Sequence, residues 1–132
     1  MLNLYSMKTL SNYTELAISA ALSKHGAFFA FSQSQFEEQA VPGLRYCSLG
    51  SGLICPEKNA LLLSEDLEKA HHQGIAQDIA ENGVSAIILR ELLNHEAFYT
   101  GDISDTVEAL QSYEVSRQQV IEVFNQKISQ YA

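Results

Sequence analysis

Three short clusters combine residue types able to do chemistry. Asn94-His95-Glu96 sets an imidazole beside a carboxylate. With a further acid from Glu37, Glu38 or Asp102, that set would suit a metal ligand or an acid–base pair. A zincin site is excluded, because the position needing the second histidine is Tyr99. His71-His72 is an adjacent pair, and neighbours on a helix point about 100° apart, so the two are poor joint ligands. Ser48-Leu49-Gly50-Ser51-Gly52 has the glycines of a phosphate cradle but is followed by Leu53-Ile54-Cys55, an apolar run that reads as strand. A phosphate loop needs a helix N-terminus there. Neither G-x-x-x-x-G-K nor G-x-S-x-G occurs.

The elements that must position these residues follow from spacing and punctuation. Ser11 or Asn12 caps a helix to about His25, stopped by Gly26. Ala27-Phe28-Phe29-Ala30-Phe31 reads as a buried strand, although its rings could also form a stacking platform for bases. Ser32 or Ser34 caps a short helix, Gln35 to Gln39, which Pro42-Gly43 ends. Leu44–Leu49 and Gly52–Cys55 form a hairpin about a type II′ turn at Gly50-Ser51. Cys47 and Cys55 flank that turn. They form no C-x-x-C and are expected as reduced, buried thiols.

From Pro56 onward the pattern is helical. Ser64 caps one helix and Ser85 the next, which ends at Asn94-His95-Glu96. That position makes Asn94 and His95 candidate caps for free helix carbonyls, the alternative to a ligand role. Asp105 with Glu108 resembles a capping box. Ser116 caps a last helix whose apolar face includes Val120, Ile121, Val123, Phe124 and Ile128. The expected fold is a single α+β domain over residues 1–132, mostly helical, with a small antiparallel sheet made of the hairpin and the Phe-rich strand.

Hydrophobic residues make up 46% of the chain and charged residues 18%, which excludes disorder of the whole chain. No apolar run approaches the roughly 20 residues a bilayer span needs, so no membrane contact is expected. Sixteen acids against eight Lys and Arg give −8, which argues against direct nucleic-acid binding. Between Glu57 and Glu114 stand twelve acids and three bases, so this segment carries the whole imbalance. Helical surfaces would gather Glu57, Glu65, Asp66, Glu68, Asp78 and Glu81 into an acidic face for a basic protein partner.

Phe28-Phe29-Ala30-Phe31-Ser32, Gln35-Phe36-Glu37-Glu38, Ser48-Leu49-Gly50-Ser51-Gly52 and Asn94-His95-Glu96 occur in that order. The series resembles a family of small uncharacterised domains of bacteriophages and bacterial mobile elements, over about residues 26–100. The resemblance implies a setting, the bacterial cytoplasm, and brings no established activity with it. The expected function is a small acidic, non-enzymatic binding protein, one form of which inhibits a nucleic-acid-binding protein. An enzyme centred on His95 and Glu96 is the second reading. A structural or homodimer-forming module using Val120, Phe124 and Ile128 is the third. No cofactor or metal is expected.

Overall fold

The structure, a computed structural model, describes residues 6–132. Its elements are α1 (Leu10–His25), β1 (Phe28–Phe29), α2 (Gln33–Gln39), β2 (Tyr46–Ser48), β3 (Leu53–Pro56), a 3₁₀ turn Glu57–Asn59, α3 (Ala60–Asn82), α4 (Val84–Asn94), α5 (Ala97–Thr100), α6 (Ser104–Ala109), a 3₁₀ turn Gln111–Tyr113 and α7 (Arg117–Tyr131). The strands form one antiparallel sheet in the order β1-β3-β2. The class is therefore α+β and mostly helical, as the spacing predicts. The chain divides into two compact units. Thr14–Gly74, the sheet unit, holds the three strands and α2. Residues to Tyr13 with Ile75–Ala132 make the helical unit, which holds α4 to α7. The division falls inside α1 and α3.

In the sheet unit, Gly26 ends α1 at φ +67, and the Ala27 amide reaches back to the Leu22 carbonyl at 2.8 Å. Register places Cys47 opposite Cys55, both free, and Tyr46 opposite Pro56. One face of the sheet packs Cys55 with Ala21 of α1 and Leu63 of α3. The other face is aromatic. Phe28 meets Tyr46 at 5.6 Å, and Phe36 of α2 meets both rings.

The hairpin turn sits one residue later than the glycine pattern implied. The Leu53 amide bonds the Gly50 carbonyl at 3.0 Å, so Ser51 and Gly52 are the central pair. Their φ values, +52 and +83, have the signs of a type I′ turn rather than II′.

In the helical unit, α4 and α7 contribute the centre of the core. Ile87, Ile88, Leu92 and Val120 are essentially inaccessible. They pack with Leu110, Tyr113, Val115 and Val123. Ser116 caps α7 in a full capping box with Gln119, as its spacing predicts.

Several other helix starts differ. α1 begins at Leu10, where the Asn12 side chain accepts from the Thr9 amide at 2.8 Å, so Asn12 acts from inside the first turn. α3 begins at Ala60 rather than at Ser64, because the 3₁₀ turn after Pro56 feeds directly into it. Gly83, at φ +81, precedes α4, so Ser85 lies within the helix. At α6 the amide of Ser104 donates to Asp102 Oδ1 at 2.9 Å, and no Asp105–Glu108 box forms.

Candidate functional site

The acidic face is smaller than the sequence count. Glu57, Glu65, Glu68 and Glu81 are exposed, but Asp78 is fully buried. Its carboxylate receives Arg90 Nη1 at 3.1 Å and Nη2 at 2.8 Å, Asn82 Nδ2 at 2.8 Å and the hydroxyl of Tyr113. Burial alone would raise this carboxyl. The hydrogen bonds from Arg90, Tyr113 and Asn82, with the Arg90 charge, hold it below the ordinary value instead. Burial pushes the Tyr113 hydroxyl up, and the neighbouring Asp78 charge adds to it. Arg90 also donates to the Lys8 carbonyl at 2.9 Å, fastening the segment before α1 to α4. Asp78 and Arg90 thus hold the helical unit together and contribute nothing to a surface. An arginine within the apolar run Ile87-Ile88-Leu89-Arg90 was the sequence signal for such a partner.

Asp66 is also compensated. Its Oδ2 lies 2.7 Å from His25 Nε2 and 3.4 Å from Lys24 Nζ. The His25 hydrogen bond holds its carboxyl below the usual range, against partial desolvation, with help from Lys24. Glu65 and Glu68 line a surface depression with Lys69 and His72, and Glu68 pairs with His72 at 3.7 Å. A second acidic stretch is less diluted. Glu96, Asp102, Asp105, Glu108 and Glu114 are all exposed, and no Lys or Arg falls between the first and the last.

His95 sits at the C-cap of α4, the position its spacing predicts. The helix end is closed by the backbone, not by side chains. The His95 amide bonds the Glu91 carbonyl at 3.1 Å, and the Glu96 amide bonds that of Leu93 at 3.2 Å. The imidazole of His95 instead pairs with the Glu91 carboxylate, Nε2 to Oε2 at 3.5 Å. Glu96 takes a left-handed conformation at φ +54 that turns the chain into α5. It borders a shallow cavity of about 350 Å³ with Leu92, Leu93, Phe98, Tyr99 and Tyr131. Asn94 is exposed. Glu37 and Glu38 lie on α2, in the other unit, where Glu37 accepts from Gln33 at 3.2 Å. Asn94, His95, Glu96, Glu37 and Glu38 are therefore spread over the two units. Among the described residues no three His, Cys, Asp or Glu side chains are grouped to hold a metal ion. On α7, Val120 is buried and Phe124 stacks on Phe98 at 5.1 Å, so these two face their own core.

The Phe-rich strand is not buried as the apolar run implied. Phe28 points into the aromatic face, but Phe29 is 48% and Phe31 73% exposed. Their rings are parallel within 8°, with centroids 6.3 Å apart. Phe29 is in register with Leu53, and the Leu49 amide bonds the Leu53 carbonyl at 2.8 Å. Phe29 and Leu53, with Leu49 just beyond the end of β2, so form an apolar row across the sheet. Phe31 lies over Gly52, where a Cβ would fall 2.2 Å from its ring.

α2 holds this arrangement in place. Ser32 caps the helix through the Gln35 amide at 3.2 Å. The Ala30 amide bonds the Gly52 carbonyl, so the Phe29 and Phe31 backbone groups point away from β3, at the sheet edge. Gln35 Oε1 accepts from the Phe31 amide at 2.7 Å, and Gln39 Nε2 donates to the Phe29 carbonyl at 3.0 Å. Two glutamines one helical turn apart thus supply the hydrogen bonds of a missing strand and close the edge.

These features define an α+β protein with exposed acidic and aromatic surface. Residues 10–130 match the model of a family of unknown function, DUF7659, and the chain belongs to that family. Comparison with curated proteins and with solved structures gives no match.

Proposed function

We propose that this protein is a small, acidic, non-enzymatic binding protein that docks a basic protein. The observation that carries the reading is the exposed charge. Thirteen of the sixteen carboxylates are exposed, against six of the eight Lys and Arg side chains, and the run from Glu96 to Glu114 has no cation. Such a surface steers a basic partner and repels nucleic acid. Occupation of a basic groove that otherwise holds nucleic acid is one form of this activity. The resemblance to phage and mobile-element domains supports a setting in bacterial cytoplasm.

The test is affinity capture from a bacterial lysate at low and high salt, followed by titration of the captured protein. A basic protein held stoichiometrically at low salt and released at high salt is expected. Glu65→Lys/Glu68→Lys and Asp105→Lys/Glu108→Lys should each weaken it. An affinity untouched by both double reversals would defeat the electrostatic account.

A further inference from the structure

We infer that the parallel Phe29–Phe31 pair is a stacking site for arginine side chains of the basic partner. The inference rests on the docking function proposed above and names the contact that would make it selective. Two exposed aromatic rings in parallel are a surface for a planar, delocalised group. Nucleic-acid bases and guanidinium groups both fit that description.

Charge decides between them. The sheet unit carries seven acids and four bases, and Lys24 is engaged with Asp66. Two of those seven acids, Glu37 and Glu38, are exposed on α2, which Gln35 and Gln39 fasten to the edge of β1, and among the described residues neither forms an ion pair. A phosphate backbone would be repelled there. A guanidinium would gain from the ring faces and from the net negative charge of the unit together. Lysine would gain from that charge but matches the planar surface less well.

The site is also built to keep its shape. Phe31 rests on Gly52, whose lack of a side chain leaves room for the ring. Its backbone amide is held by Gln35, and that of Gln35 by Ser32. The rings are thus positioned before any partner arrives, which lowers the ordering cost of binding.

The experiment titrates the 132-residue chain at low salt with three probes: a hexa-arginine peptide, a hexa-lysine peptide and a single-stranded oligothymidine. Amide NMR shifts report the location. The wild type should bind hexa-arginine about fivefold tighter than hexa-lysine, as an exposed cation–π gain allows. Shifts should centre on Phe29, Phe31 and Gly52, and the oligonucleotide should not bind. Phe29→Ala/Phe31→Ala should keep its amide spectrum elsewhere and bind both peptides equally, at the hexa-lysine level. Equal, salt-sensitive binding of both peptides by the wild type would overturn the arginine site and leave the acidic docking reading standing. An arginine preference that survives in the double variant would also overturn the site. Binding of neither peptide would remove both readings, and binding of the oligonucleotide would make the pair a base platform.

Discussion

The two units solve the problem of stability differently. Among the described residues the helical unit buries a core of thirteen, from Ile75 to Val123, around the Asp78–Arg90–Tyr113 network. The sheet unit has a core of three, Ala21, Cys55 and Leu63, plus the Phe28–Phe36–Tyr46 cluster. Eight of its large apolar side chains remain exposed, among them Leu16, Phe29, Phe31, Leu49 and Leu61. Among the described residues the helical unit exposes three, Tyr99, Ile128 and Tyr131. Much of the ordering of the sheet unit comes from side-chain hydrogen bonds to backbone, by Ser32, Gln35, Gln39 and Asn59. Apolar surface left outside a core is surface available for recognition.

The contrast breaks most sharply at the buried ion pair. Arg90→Ala leaves Asp78 charged and enclosed, and should cost about 3–5 kcal/mol in chemical denaturation. An effect below 1 kcal/mol would show that the network is not what holds the helical unit. Core truncation comes next. Leu92→Ala and Leu63→Ala each remove a fully buried side chain. Both fall in the range of about 2–5 kcal/mol, with Leu63→Ala at the lower end, because its smaller surrounding core relaxes more readily. The reverse order would erase the distinction between the units.

Acid should act through the same network. The carboxyl of Asp78 is held below its unfolded value. Its contribution is therefore complete above the unfolded carboxylate pKa of about 3.9 and is lost as pH falls through the lower folded value. Stability should decline with acid in the wild type, and less so in Asp78→Asn. A smaller effect is expected at the closed edge. Gln35→Ala removes one hydrogen bond to an exposed amide and should cost about 1 kcal/mol. Hydrogen exchange at Phe31 should speed up while α7 is unaffected. Phe31→Ala should change stability least, within about 0.5 kcal/mol, since the ring is mostly in solvent. A large loss there would mean that the ring serves the fold rather than a partner.

Much of the fold is legible in the sequence. Gly26 and Ser116 mark helix ends through rules that need only local residues, a positive φ and a side-chain cap. That Cys47 and Cys55 flank a hairpin turn is legible, but a turn at Gly50-Ser51 would pair Cys47 with Ile54, and only the structure sets Cys47 opposite Cys55. The placement of His95 at a helix end follows from the apolar period of α4. The candidate site is less legible. Asp78 sits among acids that reach water, and its spacing along α3 does not announce Arg90, twelve residues away in the next helix. Phe29 and Phe31 share an apolar run with Phe28, yet only Phe28 turns inward.

Alone, then, the sequence determines the helical and strand segments, the negative charge and the aromatic and acidic materials for binding, because these depend on composition and on contacts a few residues long. The tertiary structure decides which of those materials face solvent. It withdraws Asp78 into a network drawn from α3, α4 and the turn before α7. It lays Phe31 on Gly52 and pins α2 along β1 through Gln35 and Gln39. The Asp78 network with Arg90 and Tyr113 and the seat of Phe31 on Gly52 depend on pairings twelve or more residues apart in the chain, and no local pattern encodes which of two similar residues will find a partner.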